Sequence, residues 1–411
     1  MSENFTVIDG GVTSAKGFKA AGVEAGIKYI NRKDMAMIYS ESPCTVAGTF
    51  TSNVVKAAPV LWDMDVVNKS EYAQAAVINS GIANACTSQE GMDACAMTAK
   101  AAAELLNIPA DSVLIGSTGV IGMHLPMDAV TAGVKKLAAK LSDSREAAND
   151  AEHAIMTTDT VPKEVAVRFM IGDKEVTIGA MSKGSGMIHP NMCTMLAYVC
   201  TDCNISKQML EKAVKEDIPS TFNMITVDGD TSTNDTYLCL ANGLAGNEVI
   251  CEEGEAYDAF VEALHFVNEN LAKRMAADGE GATALFETKV IGAASIEEAR
   301  VLAKSVVGSS LCKAAIYGHD ANFGRFLCAL GYSGIDFDPS IVDLYFQSAA
   351  GSMPMYIQGV PMDFDEEEAT EILSEKEVTV LVNMHRGDAN ATAWGCDLTY
   401  DYVKINADYR S

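Results

Sequence analysis

The sequence has few basic residues, and this shortage argues against several functions. Only 30 Lys and Arg residues stand against 56 Asp and Glu residues, so the formal net charge is −26. A surface that acidic repels phosphate backbones and anionic lipid head groups, which disfavours nucleic-acid and membrane partners. No run approaches the roughly 18 apolar residues that a membrane-spanning helix requires. The segment Met1–Phe5 also lacks the basic and apolar stretches of a secretory signal, so we expect a cytoplasmic protein.

Proline and paired cysteines are also scarce. Ten prolines are spread over 411 residues, and no low-complexity linker separates independent domains, although the length alone suggests two or three domains at about 150 residues each. The eleven cysteines are an odd number and stand singly. This spacing indicates reduced, packed thiols rather than a disulfide framework.

The usual cofactor and metal motifs are missing. The chain contains no G-x-x-x-x-G-K-[ST] phosphate loop and no H-E-x-x-H helix. The glycines of Gly116-Ser-Thr-Gly-Val-Ile-Gly122 do not have dinucleotide-binding spacing. Asp228–Asp235 resembles a calcium loop, but its glycine stands at position 2 rather than 6. The single C-x-x-C, Cys200–Cys203, has no second ligand pair, and the six histidines are isolated. We therefore expect no metal and no organic cofactor.

Strands and helices are predicted to interleave without a regular βαβ period. Strands are predicted at Val77–Gly81 and Ser112–Gly116, a hairpin at Val165–Ile178, and further strands at Val378–Val382 and Ala391–Leu398. Helices are predicted at Ala94–Leu106, Val130–Leu141, Ser144–Met156 and Tyr257–Ala277. This order favours an α+β fold, a layered sandwich, over a doubly wound sheet.

One segment, Met181–Ala197, combines a glycine-punctuated loop with a following apolar stretch. Its local pattern alone favours a turn that leads into a buried strand, with Thr194 as a β-branched strand residue. A chemical role for Thr194 does not follow from that pattern.

The chain nevertheless resembles the ornithine acetyltransferase family, the glutamate N-acetyltransferases of arginine biosynthesis. Five segments carry the resemblance in the same order along nearly the whole chain: Gly116–Gly122, Met156–Lys163, Lys183–Ala197, Ile225–Thr236 and Ile405–Ser411. The resemblance implies a layered α/β sandwich related to the aminopeptidase-like N-terminal-nucleophile enzymes, with a smaller C-terminal α/β part.

The resemblance also implies that the precursor cuts its own backbone between Cys193 and Thr194. The products are an α chain, residues 1–193, and a β chain, residues 194–411, which remain one intertwined folding unit. Cleavage would free the α-amine of Thr194, whose ordinary pKa of roughly 7.7–8.0 suits a general base for the neighbouring hydroxyl. The cut therefore creates the base that the nucleophile needs.

The family's site residues can be carried over to matching positions. Thr194 is the implied nucleophile of a ping-pong transfer from N-acetylornithine to glutamate, and Thr118 and Gly119 form the implied oxyanion hole. Lys183 would take a substrate carboxylate and Glu280 an amine. The remaining implied substrate-binding residues are Thr157, Asn406 and Ser411. Family members either use N-acetylornithine alone or also use acetyl-CoA as donor, and the residues are compatible with both.

Two positions depart from the family pattern, and two other functions stay open. Cys193 replaces the usual alanine, and Ser411 replaces a threonine but keeps a hydroxyl; His189 receives no catalytic role. The implied assembly is an α2β2 heterotetramer. The alternatives are an N-terminal-nucleophile hydrolase that passes the acyl group to water and a binding protein that no longer cleaves itself.

Overall fold

The computed structural model describes residues 4–189 and 195–407. The implied site residues Cys193, Thr194 and Ser411 therefore lie outside the described residues. The chain forms two compact units. Unit 1 comprises Met1–Gly184, Asn191–Pro219 and Thr231–Leu271, and the smaller unit 2 comprises Ser185–Pro190, Ser220–Asp230 and Ala272–Ser411.

Unit 1 is built on a nine-stranded mixed sheet within the described part of the chain. Its strands are β1 (Phe5–Ile8), β2 (Phe18–Val23), β3 (Met35–Phe50), β4 (Ala73–Asn79), β5 (Val113–Ser117), β6 (Lys163–Ile171), β7 (Lys174–Lys183), β8 (Leu196–Thr201) and β10 (Thr236–Ala241). The two-residue strand β9 (Ile225–Thr226), which comes between β8 and β10 in the sequence, belongs to unit 2. The strand order is β1-β6-β7-β8-β10-β3-β4-β5, and β2 also pairs with β3. Its helices are α1 (Ala58–Lys69), α2 (Ser88–Leu106), α3 (Met127–Lys140), α4 (Arg145–Ile155), α5 (Lys207–Asp217) and α6 (Glu255–Ala277), whose last turns belong to unit 2.

Strand β3 joins the two halves of this sheet. Its register to β4 shifts between Tyr39 and Cys44, and beyond that irregularity it pairs with β10 instead. Such an irregularity bends a strand, which lets the two halves face each other. A buried cluster joins Ile38 and Ile78 of one half to Tyr198 and Leu240 of the other. This cluster is the core of a sandwich.

Helices cover the outer face of the β2–β5 half. Adjacent residues along β4 point to opposite sides, so Ile78 lies in the inter-sheet cluster while Val77 lies in a second cluster. That second cluster buries Ala99 of α2 and Val134 of α3 against the sheet. The alternation explains why strands buried on both faces have continuous apolar sequences.

Unit 2 contains a seven-stranded mixed sheet within the described residues. Its strands are β9, β11 (Leu285–Ala293), β12 (Asp343–Ser348), β13 (Gly351–Ile357), β14 (Val360–Pro361), β15 (Glu377–Asn383) and β16 (Ala389–Cys396), in the order β14-β13-β12-β15-β11-β16-β9. Its helices are α7 (Ile296–Val307), α8 (Ser310–Tyr317), α9 (Phe323–Gly331), α10 (Glu366–Leu373) and α11 (Tyr400–Ala407). Phe326 of α9 packs between Phe286 and Phe346, with ring centroids 6.0 and 5.1 Å away.

The predicted elements are present in the structure. The hairpin is β6–β7, whose turn uses Gly172 at φ +59°, and the four predicted helices are α2, α3, α4 and α6. Both sheets mix parallel and antiparallel pairs, which agrees with the predicted α+β class. Over residues 4–189 and 195–407, the helices are too short or too polar to cross a bilayer.

Candidate active site

Lys183 is the centre of a polar cluster in unit 1. It is the last residue of β7, and its backbone pairs with Leu196, the first residue of β8. Its side chain is 9% exposed. The Nζ donates to Oγ1 of Thr157 at 2.8 Å and to Oγ1 of Thr118 at 3.4 Å. Two implied substrate-binding residues and one implied oxyanion residue therefore meet at one ammonium group.

Lys183 belongs to a buried group of charged side chains, Lys183, Asp159 and Lys163, that we call the lysine–aspartate cluster. The Asp159 carboxylate lies 3.8 Å from Nζ of Lys183 and accepts a 2.8 Å hydrogen bond from Nζ of Lys163. The Asp159 and Lys163 side chains are both 0% exposed. Burial raises the pKa of Asp159, but the two ammonium groups outweigh burial and hold that pKa well below its ordinary value.

The loop after β5 carries Thr118 and Gly119. The Thr118 amide donates to the Asn79 carbonyl and the Val120 amide to the Gly81 carbonyl, so the loop is fixed to the end of β4. Gly119 has φ +129°, and a Cβ on it would lie 2.3 Å from the carbonyl carbon of Gly81. Only glycine fits this position without displacing backbone.

Thr157 lies in the loop that follows α4. Its amide donates to Oδ2 of Asp159 at 3.0 Å, and the carbonyls of Met156 and Thr157 both accept from the guanidinium of Arg32. The backbone that carries this hydroxyl is therefore held by the Asp159 carboxylate at the Thr157 amide and by Arg32 at two carbonyls.

Glu280 and Asn406 are brought together in unit 2. Nδ2 of Asn406 donates to Oε2 of Glu280 at 2.6 Å. Glu280 is 6% exposed, and its amide donates to the carbonyl of Ser185. A Cβ on Gly186 would lie 2.3 Å from the Glu280 carboxylate, so the glycine-punctuated loop packs directly on this acid.

Asp228 fixes the same loop in unit 2. Its carboxylate accepts from the amides of Met187 and Ile188 at 2.6 and 2.9 Å and from the hydroxyl of Tyr402 at 3.2 Å. Burial and the neighbouring Asp228 raise the pKa of Tyr402, which keeps its hydroxyl protonated as a donor. His189 lies 3.0 Å from Oγ1 of Thr226, and burial with the nearby Lys304 lowers its pKa to about 4.

The patterns that first resembled metal sites have other contacts. Asp228, the first residue of the calcium-like stretch, binds backbone amides, and burial raises the pKa values of the Cys200 and Cys203 thiols. Among residues 4–189 and 195–407, no group of three or more His, Cys, Asp or Glu side chains has metal-binding geometry.

The structure thus places Thr118, Gly119, Thr157 and Lys183 in unit 1, where the Lys183 side chain contacts those of Thr118 and Thr157. It places Glu280 with Asn406 in unit 2. Residue-level reasoning did not assign Asp159, Lys163, Arg32 or Asp228. Asp159 and Lys163 stand inside the Met156–Lys163 segment, so their presence in that motif was the available signal. No sequence signal pointed to Arg32, because the carbonyl groups that it contacts lie 124 and 125 residues further along the chain.

Comparison with known proteins identifies relatives along nearly the whole chain. The sequence profile of the ArgJ family matches residues 19–411. The arginine biosynthesis bifunctional protein ArgJ 1 of Clostridium acetobutylicum is 52% identical over 400 residues, which are 97% of each chain. The ArgJ of Symbiobacterium thermophilum is 53% identical over 98% of this chain and 99% of its own. A crystal structure of the Bacillus halodurans ArgJ matches with a TM-score of 0.50 and 49% identity, over 52% of this chain and 99% of its own.

The fold and the relatives define the class of protein first: an acetyltransferase on an α+β sandwich. The chain belongs to the ArgJ family. This membership confirms the family resemblance, the predicted fold class and the prediction that the chain is an enzyme with glutamate N-acetyltransferase activity in arginine biosynthesis.

Proposed function

We propose that the enzyme transfers the acetyl group of N-acetylornithine to glutamate through an acetyl-Thr194 intermediate. The observation that carries this proposal is the contact of Lys183 with both Thr157 and Thr118. An ammonium group that can bind a carboxylate thereby lies against the loop that contains the oxyanion residues. A substrate with a carboxylate beside an acylated amine matches that combination.

The proposed chemistry uses Thr194 twice. In the precursor, Oγ of Thr194 attacks the carbonyl carbon of Cys193, the peptide C–N bond breaks, and water then hydrolyses the resulting ester. In the mature enzyme, the freed α-amine takes the hydroxyl proton while Oγ attacks the acetyl carbonyl. The proton passes to the leaving amine of ornithine, and glutamate then attacks the acetyl ester. Thr118 and Gly119 stabilise each oxyanion.

The remaining site residues bind the substrates. Lys183, with Thr157, takes the carboxylate, and Glu280, held by Asn406, takes the ammonium group of ornithine. Ser411 supplies a further hydroxyl. The relatives are called bifunctional, and we assign the second activity to acetylation of glutamate from acetyl-CoA as a substrate. No metal or organic cofactor takes part.

The length of the solved relative supports cleavage at Cys193–Thr194. The Bacillus halodurans chain matches over 99% of its own length but covers 52% of this chain. Residues 194–411 are 218 of 411 residues, or 53%. A separate β chain has this length. We further propose that two α and two β chains assemble as α2β2 in the cytoplasm.

Intact-mass spectrometry of the purified enzyme and of Thr194→Ala tests this function. We expect two fragments from the wild type, with Thr194 as a new N-terminus, and one uncut chain of 43.6 kDa from the variant. A variant cut at the same bond would exclude self-cleavage by Thr194. Acetyl release from N-acetylornithine must also depend on added glutamate, since a hydrolase would release it at the same rate without the acceptor.

A further inference from the structure

We propose that Asn234 is a positioning residue that fixes the loop of Thr118 and Gly119, here called the oxyanion loop, relative to the start of β8. This inference rests on the proposed function, in which Thr194 attacks and the oxyanion loop stabilises the developing charge. Asn234 stands two residues before β10, in the Ile225–Thr236 segment. The proposed chemistry gives it no role at the reacting atoms.

The side-chain amide of Asn234 holds the oxyanion loop on its N-terminal side. Its Nδ2 donates to the carbonyl of Ser117 at 2.8 Å. In the same peptide group, the Thr118 amide donates to the Asn79 carbonyl at 3.0 Å. Both polar groups of the Ser117–Thr118 peptide therefore have partners, which fixes the plane of that peptide. This plane sets the direction in which the chain enters Thr118 and Gly119.

The same side chain holds the other end of the loop through Ala83. Nδ2 of Asn234 also donates to the Ala83 carbonyl at 2.6 Å, and the Ala83 amide donates to the carbonyl of Val120 at 2.9 Å. Val120 directly follows Gly119. A single amide group therefore anchors the oxyanion loop directly before Thr118 and, through Ala83, directly after Gly119.

The contacts of Asn234 require an amide side chain. Both N–H groups of Nδ2 are directed at carbonyl oxygens, and Oδ1 accepts from the hydroxyl of Thr233 at 2.6 Å. Asn234 is 7% exposed, so water does not readily replace these partners. A carboxylate of the same shape would place an acceptor oxygen against two carbonyl oxygens. A shorter side chain would leave both carbonyls without this donor.

The backbone of the same segment holds the start of β8. The Asn234 carbonyl accepts from the hydroxyl of Thr236 at 3.0 Å, and the Thr236 amide donates to the Met195 carbonyl at 2.9 Å. Met195 directly follows Thr194 in the sequence. Residues 234–236 therefore connect the oxyanion loop to the backbone next to the proposed nucleophile. Because the chemical steps depend on the distance between nucleophile and oxyanion donors, loss of this connection should slow them more than it weakens substrate binding.

The test compares Asn234→Ala with the matched control Asn242→Ala. Asn242 directly follows β10, at the opposite end of that strand, and is also 7% exposed. Its Nδ2 donates to the Lys16 carbonyl at 2.8 Å and to Oγ of Ser40 at 3.1 Å. The two substitutions remove the same amide group from equally buried positions, so we expect comparable decreases in Tm.

The rates should separate the two variants. We expect Asn234→Ala to lower the rate of self-cleavage and the kcat of acetyl transfer about 10- to 100-fold, with KM for N-acetylornithine changed less than about threefold. Activity is expressed per cleaved enzyme, measured by intact mass. Asn242→Ala should keep both rates within about threefold of the wild type. Equal rate losses in the two variants, or unchanged rates in Asn234→Ala, would overturn the inference.

Thr233→Val gives a second, milder test, which decides the question if Asn234→Ala does not fold. It removes the hydroxyl that donates to Oδ1 of Asn234 and should lower kcat about threefold to tenfold. An unchanged kcat in Thr233→Val would likewise overturn the inference. A wild type that cleaves itself but transfers no acetyl group would contradict the proposed function alone, because the cleavage rates of the variants still test the role of Asn234.

Discussion

Gly119 has a backbone conformation that makes its identity testable. Its φ of +129° lies where side chains are strained, and an added Cβ would meet the backbone of Gly81 at 2.3 Å. Backbone cannot move aside as the end of a flexible side chain can. Because Gly81 also accepts the Val120 amide, a shift there would displace the loop that carries Thr118.

Gly119→Ala should therefore slow both self-cleavage and acetyl transfer, if one oxyanion hole serves both reactions. Loss of one oxyanion donor costs about 100-fold or more in kcat. The variant's cleaved fraction over time and its kcat on N-acetylornithine measure the two effects. Gly122→Ala is the control, since Gly122 has φ +82° but no atom within 4 Å of an added Cβ. The activity of Gly122→Ala should stay within a few-fold of the wild type. Equal losses in both variants would show that backbone strain, and not the contact with Gly81, causes the effect.

Chemical roles for individual residues were predicted here only where a family motif carried them. Thr118, Gly119, Thr157 and Lys183 were found through their motifs, and the contacts among three of these side chains agree with a shared site. The contact of Asp159 with both Lys163 and Lys183 was not predictable from spacing. It requires the β6–β7 hairpin to extend beyond the predicted Val165–Ile178, so that Lys163 lies opposite Ser182, next to Lys183.

At the scale of the element, helix α1 covers the β5 edge of the unit 1 sheet. β5 is the last strand in the sheet order, so its outer backbone groups need partners. Oδ1 of Asp63 accepts from the amide of Ile115 at 2.7 Å, and Nε1 of Trp62 donates to the carbonyl of Val113 at 2.9 Å. Asp63 is 0% exposed, and burial raises the pKa of its carboxyl.

Two substitutions at Asp63 should have opposite consequences. Asp63→Ala leaves the buried Ile115 amide without its acceptor and should lower the free energy of unfolding by about 1–3 kcal/mol. Asp63→Asn keeps an acceptor and removes the cost of burying a charge, so it should be as stable as the wild type or more stable. Denaturant unfolding of both variants in the uncut Thr194→Ala background measures this. Asn and Ala variants of equal stability would show that the hydrogen bond contributes nothing.

Elements with a strong local pattern were predicted, and elements that depend on distant partners were not. The Ala-rich α2 and the β6–β7 hairpin follow from propensity and turn residues. β3 is 16 residues long, but Ser40-Glu-Ser-Pro43 interrupts its apolar pattern at the point where the strand changes partners. The parallel pair β8–β10 joins segments separated by a helix, which no local pattern specifies.

At the scale of the whole molecule, charge links stability to pH. The net charge of −26 disfavours the compact state by self-repulsion, which weakens as pH falls towards the isoelectric point of about 4.5. Three further groups also favour the folded state as pH falls. Burial raises the pKa values of Asp63 and Glu152, and the hydrogen bond to Asp217 raises the pKa of His265. Asp159 and His189 act in the opposite direction, because their pKa values are lowered, that of His189 to about 4.

The signs predict that mild acidification stabilises this protein. A group whose pKa is raised by folding contributes stability below its unfolded pKa and loses it as pH rises through the folded value. For His265 that loss begins above 6.5, and for Asp63 and Glu152 above 3.8 and 4.5. Asp159 loses its contribution only below 3.8, whereas His189 loses its contribution between 6.5 and about 4 and so opposes the other groups over that range. The Tm of the uncut Thr194→Ala chain should therefore rise from about pH 8 to about pH 6.5, rise less steeply below 6.5, where His189 opposes the other groups, and fall below about 3.8. His265→Gln should flatten the slope above 6.5, and a Tm that declines steadily from pH 8 downwards would contradict the prediction.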